Sequence, residues 1–169
     1  MTYAIGEKAE RFLWVTTHVS EQLGLSVPQI VDIASLRQLP IGTFGRLWAD
    51  MLDDHQLKPL TAGPRRQQLH DGIHVLTGYG VDPIGEAEVQ AFLLGAKFSP
   101  VHLVIGFGLL SAIARQIRHS GDSLSRQGVG KRLRQAYYRG HQSRFDPDTW
   151  QPENLWHEPV EAVKARFRL

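Results

Sequence analysis

Hydrophobic positions recur at helical spacing along nearly the whole chain, and no convincing run of alternating residues interrupts them. Phe12, Val15, Val19 and Leu23 predict a first helix over about residues 6–23. Ser26 and Pro28 read as a cap and an early helical proline, opening a second helix through Ile30, Ile33 and Leu36. The turn Leu39-Pro40-Ile41-Gly42-Thr43-Phe44-Gly45 offers Thr43 as the cap of a third helix, whose apolar stripe is Leu47, Trp48, Met51 and Leu52. Lys58 to Pro64 reads as a loop, and Leu69, Ile73 and Leu76 as a fourth helix ending at Thr77-Gly78-Tyr79-Gly80. Asp82-Pro83 restarts the chain as cap and first-turn proline of a fifth helix reaching about Phe98. Ser99-Pro100 opens a sixth, with Gly106 and Gly108 inside it, and another covers about residues 122–140. Trp150 to Trp156 reads as a loop, and Pro159 to Phe167 as a short closing helix. The expectation is an all-α protein: one domain over residues 1–169, a helical bundle of seven or eight helices without repeats.

Composition narrows the chemistry. With 169 residues, 42% hydrophobic and 21% charged, the chain suits one folded, soluble core. It has no cysteine, which excludes a disulfide scaffold, a thiolate zinc site, an iron–sulfur cluster and a cysteine nucleophile. Histidine, aspartate and glutamate remain as strong metal ligands, and there are eight histidines.

His70 and His74 are four residues apart and so project from one side of a helix, close enough to share an ion. Asp71 lies between them and either joins the coordination sphere or orients a histidine. Glu86 stands twelve positions after His74, on the first turns of the next helix, beside the buried-type positions Val89, Gln90 and Leu93. A carboxylate there needs a cation or a hydrogen-bond network. Antiparallel packing of the two helices returns it to the His70–His74 face. An isolated histidine pair at this spacing is more often an accident of packing; the inward Glu86 shifts the balance towards a metal. The other histidines, His18, His55, His102, His119, His141 and His157, have no comparable partners and read as packing or surface residues, as Trp48 and Tyr79 read as core.

The run His70-Asp71-Gly72-Ile73-His74, followed after eleven residues by Glu86, resembles the H-D-x-x-H-x11-E signature of the coenzyme Q biosynthesis protein 4 family. Leu39-Pro40-x-Gly42-Thr43-Phe44-Gly45 upstream resembles the family's L-P-x-G-T-x-G segment, and Trp150 to Leu169 resembles its ending. The resemblance implies a helical fold, a divalent metal (zinc is the one usually named) at His70, Asp71, His74 and Glu86, and binding of a prenylated lipid. It implies work at the ring-modification stage of ubiquinone synthesis, as a scaffold for the biosynthetic enzymes or in removing the ring carboxylate at C1.

Three function classes follow. In the first, a lyase-type centre, the metal is held by His70, His74 and Glu86, with Asp71, His74 and Glu86 as the catalytic set, and it polarises a prenylated hydroxybenzoate. In the second, the protein is a non-catalytic isoprenoid-binding scaffold among other quinone-biosynthesis proteins. A third reads His70-Asp71 as the doublet of an HD-domain phosphohydrolase with His55 and Asp122, and it leaves Glu86 unexplained. Oligomeric state is left open between monomer and homo-oligomer.

The net charge of +2 conceals an asymmetry: residues 1–114 carry 8 Lys/Arg against 11 Asp/Glu, residues 115–169 carry 11 against 6. Between Arg115 and Arg139, the cations Arg118, Arg126, Lys131, Arg132 and Arg134 stand against Asp122 alone. Such a stretch is usually a solvated face; here it also suits the surface of an anionic membrane, with residues around Arg132 resting on it. The lone Tyr137-Tyr138 pair gives no aromatic and basic alternation, so nucleic acid is not an expected partner. Val101 to Ile113 spans 13 residues, short of the roughly 20 that cross a bilayer, and reads as the wall for a prenyl tail. Glu7, Glu10 and Glu21 interrupt any presequence-like stretch, so the expected location is cytoplasmic, peripheral on the inner membrane.

Overall fold

The computed structural model describes residues 26–98 and 126–169. Among the described residues there are seven α-helices and one 3-10 turn, with no strand or sheet, in agreement with the all-α expectation. They are α1 (Ile33–Leu36), α2 (Phe44–Asp54), α3 (Arg65–Gln68), α4 (His70–Thr77), α5 (Pro83–Ala96), α6 (Arg126–Gln142) and α7 (Val160–Phe167). The 3-10 turn, Pro152–Asn154, falls inside the loop read between Trp150 and Trp156. The helix expected over residues 6–23, the one opening at Ser99 with its apolar wall, and Arg118 and Asp122 lie outside the described residues.

Side-chain caps set three of the helix starts. Thr43 Oγ1 accepts from Arg46 N at the head of α2, as the turn sequence implied. Asp82 Oδ1 accepts from Ile84 N at 2.8 Å and Gly85 N at 3.2 Å, and Pro83 occupies the first turn of α5, where its missing N–H costs nothing. The second predicted helix is corrected. It does not open at Ser26 and Pro28; its single turn begins after Asp32, whose carboxylate caps Ala34 and Ser35. The cause is a buried side chain 40 residues away from Pro28 in sequence. Gln68 is 1% exposed, takes Ile30 N on Oε1 and gives Nε2 to the carbonyls of Val27, Pro28 and Gly63. Ser26 Oγ accepts from Gly63 N, not from a helix turn of its own. With its backbone groups satisfied this way, the segment has no need to coil.

The core is an aromatic cluster assembled from both ends of the described chain. Trp48 of α2 stacks on Trp150 at 6.3 Å, and Phe44 on Trp156 at 5.8 Å. Main-chain bonds hold the two segments together: Phe44 N to Glu158 O, Gly45 N to Trp156 O and Val160 N to Gly42 O. Gly72 carries α4 onto this cluster, because a Cβ there would fall among the ring carbons of Trp48 and Trp150. Helices α5 and α6 meet backbone to backbone, Gly95 against the Tyr137 carbonyl and Gly140 against the Phe92 carbonyl. Beside that contact, Arg132 pairs bidentately with the buried Glu88 at 2.9 and 2.6 Å. Arg132 keeps 43% of its side chain exposed while it neutralises the buried carboxylate.

Helix α5 ends at Ala96, two residues short of its predicted end; Lys97 turns extended and bridges Asp146 and Asp148. No helix among the described residues is long and apolar enough to cross a membrane.

Candidate metal centre

Helix α4 presents His70 and His74 on one side, their rings 5.0 Å apart. It stops at Gly78, whose φ of 73° places the residue in the left-handed region open to glycine. The short connection then folds against α5: a Cβ on Gly85 would collide with the Gly80 main chain. This closeness lays the first turn of α5 beside α4 and returns Glu86 to the histidines, as the helix-loop-helix spacing predicted. Glu86 Oε1 lies 3.3 Å from His74 Nε2, and Oε2 lies 3.5 Å from His70 Nε2. One ligand atom from each of His70, His74 and Glu86 falls within 4.8 Å of the others.

His74 is the most constrained of the three. Its side chain is 2% exposed, and Nδ1 lies 3.2 Å from the Tyr79 carbonyl. A carbonyl only accepts, so Nδ1 carries the proton and Nε2 is left with its lone pair. That Nε2 is buried with no hydrogen-bond partner, facing a carboxylate. In the neutral ring, acceptor then faces acceptor at 3.3 Å, which a cation between them relieves, either a metal ion or a proton on Nε2. The two separations from Glu86, 3.3 and 3.5 Å, are near the roughly 3.4 Å between ligands of a tetrahedral ion, while the group of three spans up to 4.8 Å. His70 and Glu86 are 26 and 30% exposed, so the cluster is closed on the His74 side and open on the other.

Asp71 takes a different place. Its Oδ1 stands 3.8 Å from His70 Nδ1, too long for a hydrogen bond, and it is outside the group of three. Burial works against a charged His70, but Asp71 and Glu86 outweigh it and hold the imidazole above its ordinary value. Burial likewise works against the Glu86 carboxylate, and the two histidines overcome it, leaving that carboxyl below its ordinary range. His55 is exposed at the C-cap of α2 and takes no part, which leaves the phosphohydrolase reading without its first partner.

Two contributors were not visible in the sequence. The Tyr79 carbonyl that fixes His74 is a main-chain atom, which no residue type announces. Arg139, on α6, donates from Nη1 to the Thr77 carbonyl at 2.6 Å and lies 5.5 Å over the Tyr79 ring.

Fold and site together define an all-α chain with two imidazoles and a carboxylate, from adjacent helices, converging in the manner of a divalent-metal centre. No protein-family model matches the chain. Among curated proteins it is similar to the mitochondrial ubiquinone biosynthesis protein COQ4 homolog of Bos taurus, 26% identical over 153 residues, covering 82% of this chain and 55% of that protein. The corresponding Xenopus tropicalis protein is 32% identical over 97 residues, 43% of this chain and 35% of its own length. The chain thus spans about half the length of the bovine relative. A crystal structure of a candidate ubiquinone biosynthesis protein from Nostoc punctiforme shares the fold, with a TM-score of 0.64 over 83% of this chain and 69% of its own, at 20% identity. The resemblance read from the motif is borne out: the chain is similar to the COQ4 ubiquinone biosynthesis proteins.

Proposed function

We propose that the chain works in ubiquinone biosynthesis as a metal-dependent protein that binds a prenylated hydroxybenzoate and removes the carboxylate at ring C1. The observation that carries this reading is the buried, unpartnered Nε2 of His74 facing Glu86, with Nδ1 already committed to the Tyr79 carbonyl. Similarity to proteins named for ubiquinone biosynthesis supports the pathway. A divalent ion here, zinc first among those that suit imidazole and carboxylate, supplies Lewis acidity towards the substrate's carboxylate or ring hydroxyl.

The chain's own residues do the rest. His70, His74 and Glu86 would hold the ion, and the exposed edges of His70 and Glu86 leave room for the ring. As the C1–carboxylate bond breaks, carbon dioxide leaves, and the electron pair remaining on C1 takes up a proton. Asp71, beside His70 but outside the ligand set, is the group we assign to orienting His70 and moving that proton. The prenyl tail is assigned to the Val101–Ile113 stretch. Peripheral contact with a membrane is assigned to the exposed basic residues around Arg132, Lys131 and Arg134 among them.

The test is His74→Ala, followed by bound metal after dialysis and by turnover of a prenylated hydroxybenzoate. Loss of both is expected. Wild-type metal content in the variant would sink the site, and wild-type turnover would sink the mechanism. A metal-loaded wild-type protein that binds the prenylated ring without releasing carbon dioxide would instead support the scaffold reading.

A further inference from the structure

The end of α4 is tied down at three carbonyls. Ile73 O is taken by the Thr77 hydroxyl at 2.6 Å and His74 O by Gly78 N at 2.7 Å. Thr77 O is taken from outside the helix, by Arg139 Nη1 at 2.6 Å. The same guanidinium lies 5.5 Å over the Tyr79 ring, which packs edge-on against Phe92 at 6.5 Å. One planar cation therefore grips the chain on both sides of Gly78: the carbonyl before it and the ring after it. Between those two grips runs the left-handed turn that points the Tyr79 carbonyl back at His74 Nδ1, 3.2 Å away. Tyr79 N also reaches Thr77 Oγ1 at 3.4 Å, which ties the turn to the helix it leaves. Arg139 can reach this turn because its neighbour Gly140 lets α6 lie directly on the Phe92 carbonyl.

We infer that Arg139 is a positioning residue: by holding Thr77 and Tyr79 together it fixes the carbonyl that selects the His74 tautomer, and so presents Nε2 to the metal centre. This extends the metal reading of the previous section and rests on it only for its effect on affinity. The tautomer itself is measurable without metal. Partners that orient a ligating histidine commonly change metal affinity by about 10–100-fold when removed. Lysine can reach one carbonyl but cannot also lie flat on a ring, so it replaces half of what arginine does here.

The experiment compares Arg139→Gln, Arg139→Lys and, as a control, Arg132→Gln, which breaks the α5–α6 ion pair with Glu88. Imidazole nitrogen shifts in the metal-free proteins read the His74 tautomer; a chelator competition reads zinc affinity; thermal unfolding reads stability. For Arg139→Gln the expected result is a mixture of His74 tautomers with zinc affinity lowered about 10–100-fold, and for Arg139→Lys an intermediate value. Arg132→Gln is expected to melt earlier with tautomer and affinity unchanged. A folded Arg139→Gln with the wild-type tautomer overturns the inference, as does an Arg132→Gln that scrambles the tautomer equally. Should Arg139→Gln fail to fold, Tyr79→Leu removes the ring and keeps the carbonyl: a shifted tautomer upholds the inference and an unshifted one overturns it. If the wild type takes up no zinc while the tautomer still shifts in Arg139→Gln, the metal reading falls and the positioning role stands.

Discussion

At the scale of single residues, the site was legible where chemistry follows residue type and periodicity. His70, His74 and Glu86 announce themselves because imidazoles four apart share a helix side, and because a carboxylate among Val89, Gln90 and Leu93 demands a partner. Gly72 was not read as part of this arrangement, since a glycine carries no side chain to predict from. Its importance appears only when Trp48 and Trp150, 102 positions apart, arrive on the same spot of α4. Gly72→Ala should push α4 off those rings and lower stability by about 1–3 kcal/mol. A thermal melt of the metal-free protein checks this, and a midpoint equal to wild type would show that the indoles yield freely.

At the scale of helices, boundaries written in local chemistry were readable and those decided by distant side chains were not. Thr43, Asp82-Pro83 and Gly78 each do what cap and stop rules require. The start assigned to Ser26 failed because Gln68 supplies from afar the hydrogen bonds that a helix would have supplied locally. The same cap logic makes Asp82 matter to the metal centre, since Glu86 N donates to Asp82 O in the turn it initiates. Asp82→Ala should cost about 1 kcal/mol of stability and, by fraying the turn that carries Glu86, weaken zinc binding as well. Denaturant unfolding and zinc titration of the same variant separate the two effects; an unchanged affinity would mean that Glu86 is held by packing alone.

At the scale of the whole molecule, the site couples charge to folding. In the metal-free protein His70 titrates above 6.5, so its contribution to stability is complete below 6.5 and is lost as pH rises through the raised value. Glu86 titrates below 4.5, so its contribution is complete above 4.5 and is lost as pH falls through the lowered value. The pair therefore favours the metal-free fold most between pH 4.5 and 6.5. Zinc needs His70 deprotonated, so bound metal should move the stability optimum upward, with affinity falling on acidification from above 6.5. At zinc a thousandfold over its dissociation constant the gain is about 4 kcal/mol, and a chelator should abolish it. Melting curves across pH with and without zinc test this; identical optima would contradict it. The connection after α4 gives the centre one further property. His74 is fixed by a main-chain oxygen, and no exchange of the side chain at position 79 can delete that atom. The burden of sequence drift is displaced onto Gly78, whose left-handed φ of 73° few other residues adopt. Position 79 is thus free to change identity among residues that keep a flat ring under Arg139, while a change at 78 would be felt at a histidine four residues away.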